Sequence, residues 1–173
     1  GPRRITVEHA ATLAKSLPPF VIAVAIFVDA DEAVILAAMS ATRCQVAQLH
    51  GDEPPELAER LRRRFPVIKA FAVRDAESFK AINSYPADAY LLDTYVPNLA
   101  GGSGASWDHR LLVSNLGRSI IVSGGLTPDN VGHVIAGHHP WAVDVASGVE
   151  GNVPGRKDPA KVEAFIRSAK GSR

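Results

Sequence analysis

A parallel β-sheet with helices packed against it is the α/β architecture that this chain of 173 residues predicts. Two observations carry the expectation. Short apolar runs and helix-period segments alternate through six strand-to-helix units of roughly 20 to 30 residues, led by one helix with no strand before it. Such alternation needs long crossovers, which join parallel strands and lay helices on the sheet. Second, no Gly-x-Gly-x-x-Gly follows the first apolar run and no Walker sequence occurs, so an open nucleotide-binding sheet is the weaker choice. Residues 1–173 read as a single domain with a substantial core.

The elements follow in order. Residues 6 to 17 form a helix capped by Thr6 and stopped by Pro18-Pro19. Phe20 to Val28 is a β-branched apolar run, hence a buried strand. A helix spans Asp31 to Thr42, and Cys44 to Leu49 is a strand that delivers His50, Gly51 and Asp52 into a loop. Pro54-Pro55 opens a helix to about Phe65, with Leu57, Leu61 and Phe65 on one face. Its crowded arginines, Arg60 and Arg62 to Arg64, suit a helix C-terminus and read as a solvated face. Val67 to Val73 is a strand, Asp75 to Asn83 a helix, Asp88 to Leu92 a strand and Ser106 to Leu116 a helix. Ser119 to Val122 is a strand, followed by a helix from Pro128 to Gly137 with Thr127 as its cap. Trp141 to Val145 is the last strand, and Pro159 to Ala169 the last helix, capped by Asp158. The polar end, Lys170 to Arg173, reads as a frayed tail.

Composition narrows the function. With 46% hydrophobic and 21% charged residues the chain is a globular protein, not a disordered one. A formal net charge of +1 supplies no field to recruit nucleic acid or an anionic membrane. The longest apolar run, Phe20 to Val28, is far short of the roughly 20 residues that span a bilayer. No hydrophobic segment follows Gly1-Pro2-Arg3-Arg4, so no signal peptide is expected. The single cysteine, Cys44, excludes an internal disulfide and fits a cytoplasmic setting; it reads as a small buried hydrophobe.

Three loops invite chemistry, because the loops leaving the carboxyl ends of parallel strands carry it. The apolar run Ala89 to Leu92 ends in one carboxylate, Asp93, ahead of a glycine-rich stretch. Beside apolar neighbours Asp93 is a candidate general acid, the plainer reading being a strand-end carboxylate that caps a turn. Ser123-Gly124-Gly125-Leu126 and Ala146-Ser147-Gly148-Val149 each follow a strand. Glycine lets backbone N–H groups approach a ligand, and a pair of such loops after the last two strands is where barrels hold phosphate. Either loop alone could be only a turn.

These residues carry a family likeness. Gln48-Leu49-His50-Gly51-Asp52-Glu53, Leu91-Leu92-Asp93-Thr94, Gly101-Gly102-Ser103-Gly104, Ser123-Gly124-Gly125-Leu126 with Pro128 and Asn130, and Asp144 to Glu150 followed by Pro154 to Pro159 occur in that order. Together they resemble phosphoribosylanthranilate isomerase of tryptophan biosynthesis, and Pro2-Arg3 is similar to the family's Ser-Pro-Arg, with Gly1 in place of the serine. The resemblance implies a (β/α)8 TIM-barrel type fold, of which this chain holds six βα units, the third to the eighth. It implies an Amadori rearrangement of a phosphosugar with no metal and no organic cofactor. Asp93 would protonate the ring oxygen. Gly124, Gly125 and Gly148, with Ser147 nearby, would bind phosphate; Arg3 would pair with the anthranilate carboxylate; Gln48 and His50 would line the polar wall. His50 could equally stand behind the site or at the surface.

Two departures from the family pattern bear on that expectation. The family's general base is a cysteine in a Lys-Ile-Cys-Gly segment, which these residues do not contain, and Cys44 lies at the wrong end of its strand. Ala146 replaces a serine usual in the family. The chain is therefore expected to begin after the second barrel strand. That leaves two unpaired sheet edges, open to self-association or to a complementing fragment. A non-catalytic phosphosugar-binding remnant is the alternative. A synthase of the same pathway is disfavoured, since no catalytic lysine and glutamate pair is expected on the early strand ends.

Overall fold

The computed structural model describes residues 3–73, 82–94 and 119–172. The predicted helices over Asp75–Asn83 and Ser106–Leu116, apart from residues 82 and 83, and the Gly101–Gly104 stretch lie outside the described residues. The strands form one sheet of six in chain order, β1-β2-β3-β4-β5-β6, and the β1–β2, β2–β3 and β5–β6 pairs are parallel. The described residues pack as two compact units, one made of residues 3–70 with 84–90 and the other of the remainder.

The first unit opens with α1 (Val7–Ser16), where Thr6 Oγ1 accepts from His9 N at 3.2 Å, as its cap position predicts. β1 (Val24–Phe27) follows, and it corrects the expectation of a buried strand from Phe20 to Val28. Phe20 has a φ of 69°, so the extended run begins later. Val24 and Ile26 are 41% and 61% exposed, because β1 ends the strand order and, among the described residues, pairs with β2 alone. α2 (Glu32–Thr42) buries Ile35 and Met39 and stops at Arg43, whose N–H reaches Met39 O. Cys44 is half-buried, not sealed in the core as expected, because it lies in the turn before β2 (Val46–Leu49). α3 (Pro55–Arg62) buries Leu57, Ala58 and Leu61 and keeps its arginines outward. Arg60 pairs with Glu32 and Arg62 with Asp88, each at 2.7 Å, so these guanidiniums belong to a solvated, locally paired face. β3 (Val67–Val73) matches its predicted bounds.

The second unit holds the end of β3 and of β4 (Ala89–Thr94), then β5 (Ile120–Val122), α4 (Val131–His138), β6 (Ala142–Val143) and α5 (Pro159–Gly171). Leu91, Leu92 and Val122 are buried, as continuous apolar strands require. α4 starts three residues later than predicted, and Thr127 is not its cap. Residues 127–130 form a turn whose Thr127 carbonyl accepts from Val131 N at 3.1 Å. β6 has two residues, fewer than the run Trp141 to Val145 suggests, because a 3-10 turn over Ser147–Val149 follows it closely. α5 is capped as expected by Asp158, which accepts from Ala160 N at 2.9 Å. It continues through Lys170 to Gly171, so the tail does not fray where expected.

Candidate active site

The ladder of the second unit sets three strand ends along one rim. Ser123 N donates to Leu92 O and Asp144 N to Val122 O, both at 2.8 Å. Asp93 therefore stands one residue past the Leu92 pairing on β4, and Gly124 one residue past Ser123 beside it, on the order of one strand spacing of about 5 Å away. Asp93 is half-buried at that rim. Ser123 Oγ donates to Asp144 Oδ2 at 2.9 Å, tying the next two strand ends together.

The two glycine loops interlock. Gly124 and Gly125 have φ of 84° and 65°, in the left-handed region that a side chain strains. The turn is stapled from inside by Asn130, whose Oδ1 accepts from Thr127 N at 2.8 Å and whose Nδ2 donates to Gly125 O at 2.9 Å. Gly148, in the 3-10 turn after β6, packs against Leu126: an added Cβ would collide with the Leu126 carbonyl oxygen and lie 2.9 Å from its carbon. Ser147 shares that turn. Lys157 Nζ closes it from the far side, donating to Ala146 O at 2.6 Å and Glu150 Oε1 at 2.9 Å.

Arg3, Gln48 and His50 belong to the first unit. Arg3 is exposed. Gln48 is buried on β2, and its Nε2 lies 2.9 Å from His50 Nδ1, within hydrogen-bond reach. His50 N donates to Phe27 O at 2.8 Å.

Beneath this loop lies a cluster the sequence reading did not find. Glu53 accepts from Asp29 N and Gly51 N at 3.0 Å, and Lys69 Nζ reaches its Oε2 at 3.0 Å and Gly51 O at 2.5 Å. Asp29 Oδ1 accepts from Asp52 N at 2.7 Å. It occupies the space where Gly51 would carry a Cβ, which would lie 2.6 Å from Asp29 Cγ. Tyr85 Oη donates to Glu53 O at 3.0 Å; burial, then the nearby Glu53 and Glu56 charges, push its phenol well above the ordinary range and keep it a donor. A lysine–glutamate pair thus does exist early in the chain. Its polar atoms are engaged with backbone groups in a buried position, a structural arrangement. The signal was Lys69 itself, a charge inside the apolar run Val67 to Val73 that burial obliges to find a partner.

Among the described residues no group of three or more His, Cys, Asp or Glu is spaced to hold a metal, and no helix is long and apolar enough to cross a membrane. The strand order and its rim of strand-end loops define a parallel α/β protein of the (β/α)-barrel type. Within that class the match is specific: the sequence model of N-(5'-phosphoribosyl)anthranilate (PRA) isomerase covers residues 1–168, and the chain belongs to that family. It is 45% identical over 173 residues to the N-(5'-phosphoribosyl)anthranilate isomerase of Geobacter sulfurreducens, covering 99% of this chain and 83% of that protein. The crystal structure of phosphoribosyl anthranilate isomerase from Thermotoga maritima superposes with a TM-score of 0.89 at 38% identity, over 96% of this chain and 82% of that one. A structure of phosphoribosyl anthranilate isomerase in complex with reduced 1-(o-carboxyphenylamino)-1-deoxyribulose 5-phosphate superposes with a TM-score of 0.83 at 37% identity, over 96% and 80% of the two chains.

Proposed function

We propose that this chain carries the family's activity, the Amadori rearrangement of N-(5-phosphoribosyl)anthranilate to the ribulose phosphate in tryptophan biosynthesis, with Asp93 as general acid. In this reading the Asp93 carboxyl gives its proton to the furanose ring oxygen, the C1–O bond breaks, and a Schiff base forms with the anthranilate nitrogen. A general base, in the family a cysteine, then takes the C2 proton, and the resulting enolamine tautomerises to product. The observation that carries the proposal is the rim itself, where a strand-end carboxylate stands beside a left-handed glycine turn locked against Gly148. Backbone N–H groups of Gly124, Gly125 and Gly148 hold the phosphate, with Ser147 adding a hydroxyl. The family resemblance adds Arg3 for the anthranilate carboxylate and Gln48 and His50 for the polar wall. No metal or organic cofactor has a part in this scheme.

The resemblance assigns proton abstraction to a cysteine in a Lys-Ile-Cys-Gly segment, and the only cysteine of this sequence, Cys44, precedes β2 at the end away from the loops that follow the strands. That observation favours a second reading, in which the chain binds the phosphosugar and a complementing segment or a second copy supplies the base. The exposed apolar edge at Val24, Ile26 and Val28 offers such a segment its place. Steady-state turnover of phosphoribosylanthranilate by the 173-residue chain tests the two. Turnover supports the first; calorimetric binding of the reduced product analogue without turnover supports the second; neither binding nor turnover removes both. The single cysteine and a small-molecule biosynthetic reaction support a cytoplasmic setting.

A further inference from the structure

We propose that Asn130 is the positioning residue of the phosphate loop, selecting which backbone amides face the anion. The inference rests on the reading of the Gly124–Gly125 turn as a phosphate cradle and adds to it a residue that never touches the ligand. The Asn130 amide spans the turn: Nδ2 donates to Gly125 O at 2.9 Å and Oδ1 accepts from Thr127 N at 2.8 Å. Across a trans peptide the C=O and N–H point in opposite directions. Holding the Gly125 carbonyl therefore turns the Leu126 N–H away from Asn130, while the Thr127 N–H is consumed. Among the described residues, the N–H groups of Gly124, Gly125 and Leu126 have no protein acceptor. Three consecutive N–H groups without a protein acceptor, at a turn with φ of 84° and 65°, are the donors that a phosphomonoester dianion would take.

The same geometry explains why the turn cannot relax without Asn130. Leu126 is buried, and Gly148 packs directly on its carbonyl. The Leu126 side chain and carbonyl are thus both fixed, and Asn130 controls the one remaining variable, the rotation of the Gly125–Leu126 peptide plane. α4 begins at Val131 immediately after, so the side chain that orients the turn is itself anchored by a helix. That helix start is also why α4 begins late: the Asn130 amide reaches back into the loop where a helix cap would face forward.

The test is a titration of the full chain with inorganic phosphate, read by calorimetry and by ¹H–¹⁵N amide shifts. In the unaltered protein the Gly124, Gly125 and Leu126 amides are expected to move with phosphate and the Thr127 amide to stay. Asn130→Ala is expected to weaken phosphate at least tenfold and to release the Thr127 amide. Asn130→Asp keeps the acceptor for Thr127 N, and with it the helix start if the alanine variant fails to fold, but loses the donor that orients the Gly125–Leu126 peptide. Its phosphate affinity is also expected to fall at least tenfold, and agreement between the neutral and the charged variant assigns the loss to the missing donor. A folded variant of either kind that binds phosphate within twofold of the unaltered protein overturns the proposal, as does a Thr127 amide that moves as far as that of Leu126. Failure of the unaltered protein to bind phosphate at millimolar concentration overturns the cradle reading itself, and the role of Asn130 with it.

Discussion

Breaking the buried Lys69–Glu53 pair on one side only is predicted to cost more than removing both charges. The side chains are 5% and 1% exposed and 3.0 Å apart. At an effective dielectric of about 20, unit charges 3.0 Å apart attract by about 5.5 kcal/mol, most of it offset by desolvation. Glu53→Gln deprives the buried ammonium of its carboxylate and sets an amide nitrogen against it, so a loss of about 3 to 5 kcal/mol is expected. In a chain of this size that lowers the unfolding midpoint by about 6 to 20 °C. In the double variant Glu53→Gln/Lys69→Met, the introduced carboxamide oxygen still accepts from the Asp29 and Gly51 amides, and the main loss is the donor to Gly51 O, about 1 kcal/mol. The double variant should therefore be more stable than Glu53→Gln alone by about 2 kcal/mol or more. Urea unfolding followed by far-ultraviolet circular dichroism measures all members of the cycle. A double variant less stable than the single one would refute the argument that a buried ammonium deprived of the Glu53 carboxylate dominates the cost.

Asp93→Asn should reduce turnover of phosphoribosylanthranilate by at least about a hundredfold while leaving affinity for the reduced product analogue within a few-fold, since an amide cannot deliver the proton; a variant that is unfolded by circular dichroism would mark Asp93 as structural. Gly148→Ala drives a methyl into the Leu126 carbonyl and should both destabilise the fold by about 2 kcal/mol and weaken inorganic phosphate tenfold or more by calorimetry; unchanged phosphate affinity would separate this turn from the cradle. The Asp88 carboxyl responds to acid in a definite direction. Burial pushes its pKa up, but hydrogen bonds from Arg62 and from Val67 N outweigh that, and the net position is below the ordinary 3.8. A lowered folded value means the unfolded chain takes up more protons, so the stabilisation is present above 3.8 and lost as the pH falls through the folded value. The stability gap between the unaltered protein and Asp88→Asn should shrink as the pH is lowered through 3.8 towards the folded value, measured by urea unfolding; a constant gap would mean the pair stabilises nothing through ionisation.

Local chemistry made much of the fold readable. Proline and cap residues marked Thr6, Pro55 and Asp158, and continuous apolar runs marked β2 to β5, because these signals act within a few residues of where they are written. Burial of an apolar run was less readable. Phe20 to Val28 has the composition of a core strand, but whether it is covered depends on neighbours that composition does not specify, and Ile26 is exposed.

The candidate site divides along the same line. Asp93 after Leu92 and the glycine loops were visible as motifs, because strand-end carboxylates and paired glycines occupy fixed places relative to their own strands. That Leu126 leaves no room for a side chain at position 148, and that Lys69 is neutralised by Glu53 sixteen positions away, were decided only by tertiary structure. The physical reason is range: periodicity and capping act over one turn of chain, whereas a hydrogen bond or a steric collision between loops exists only once the sheet has brought its strand ends together.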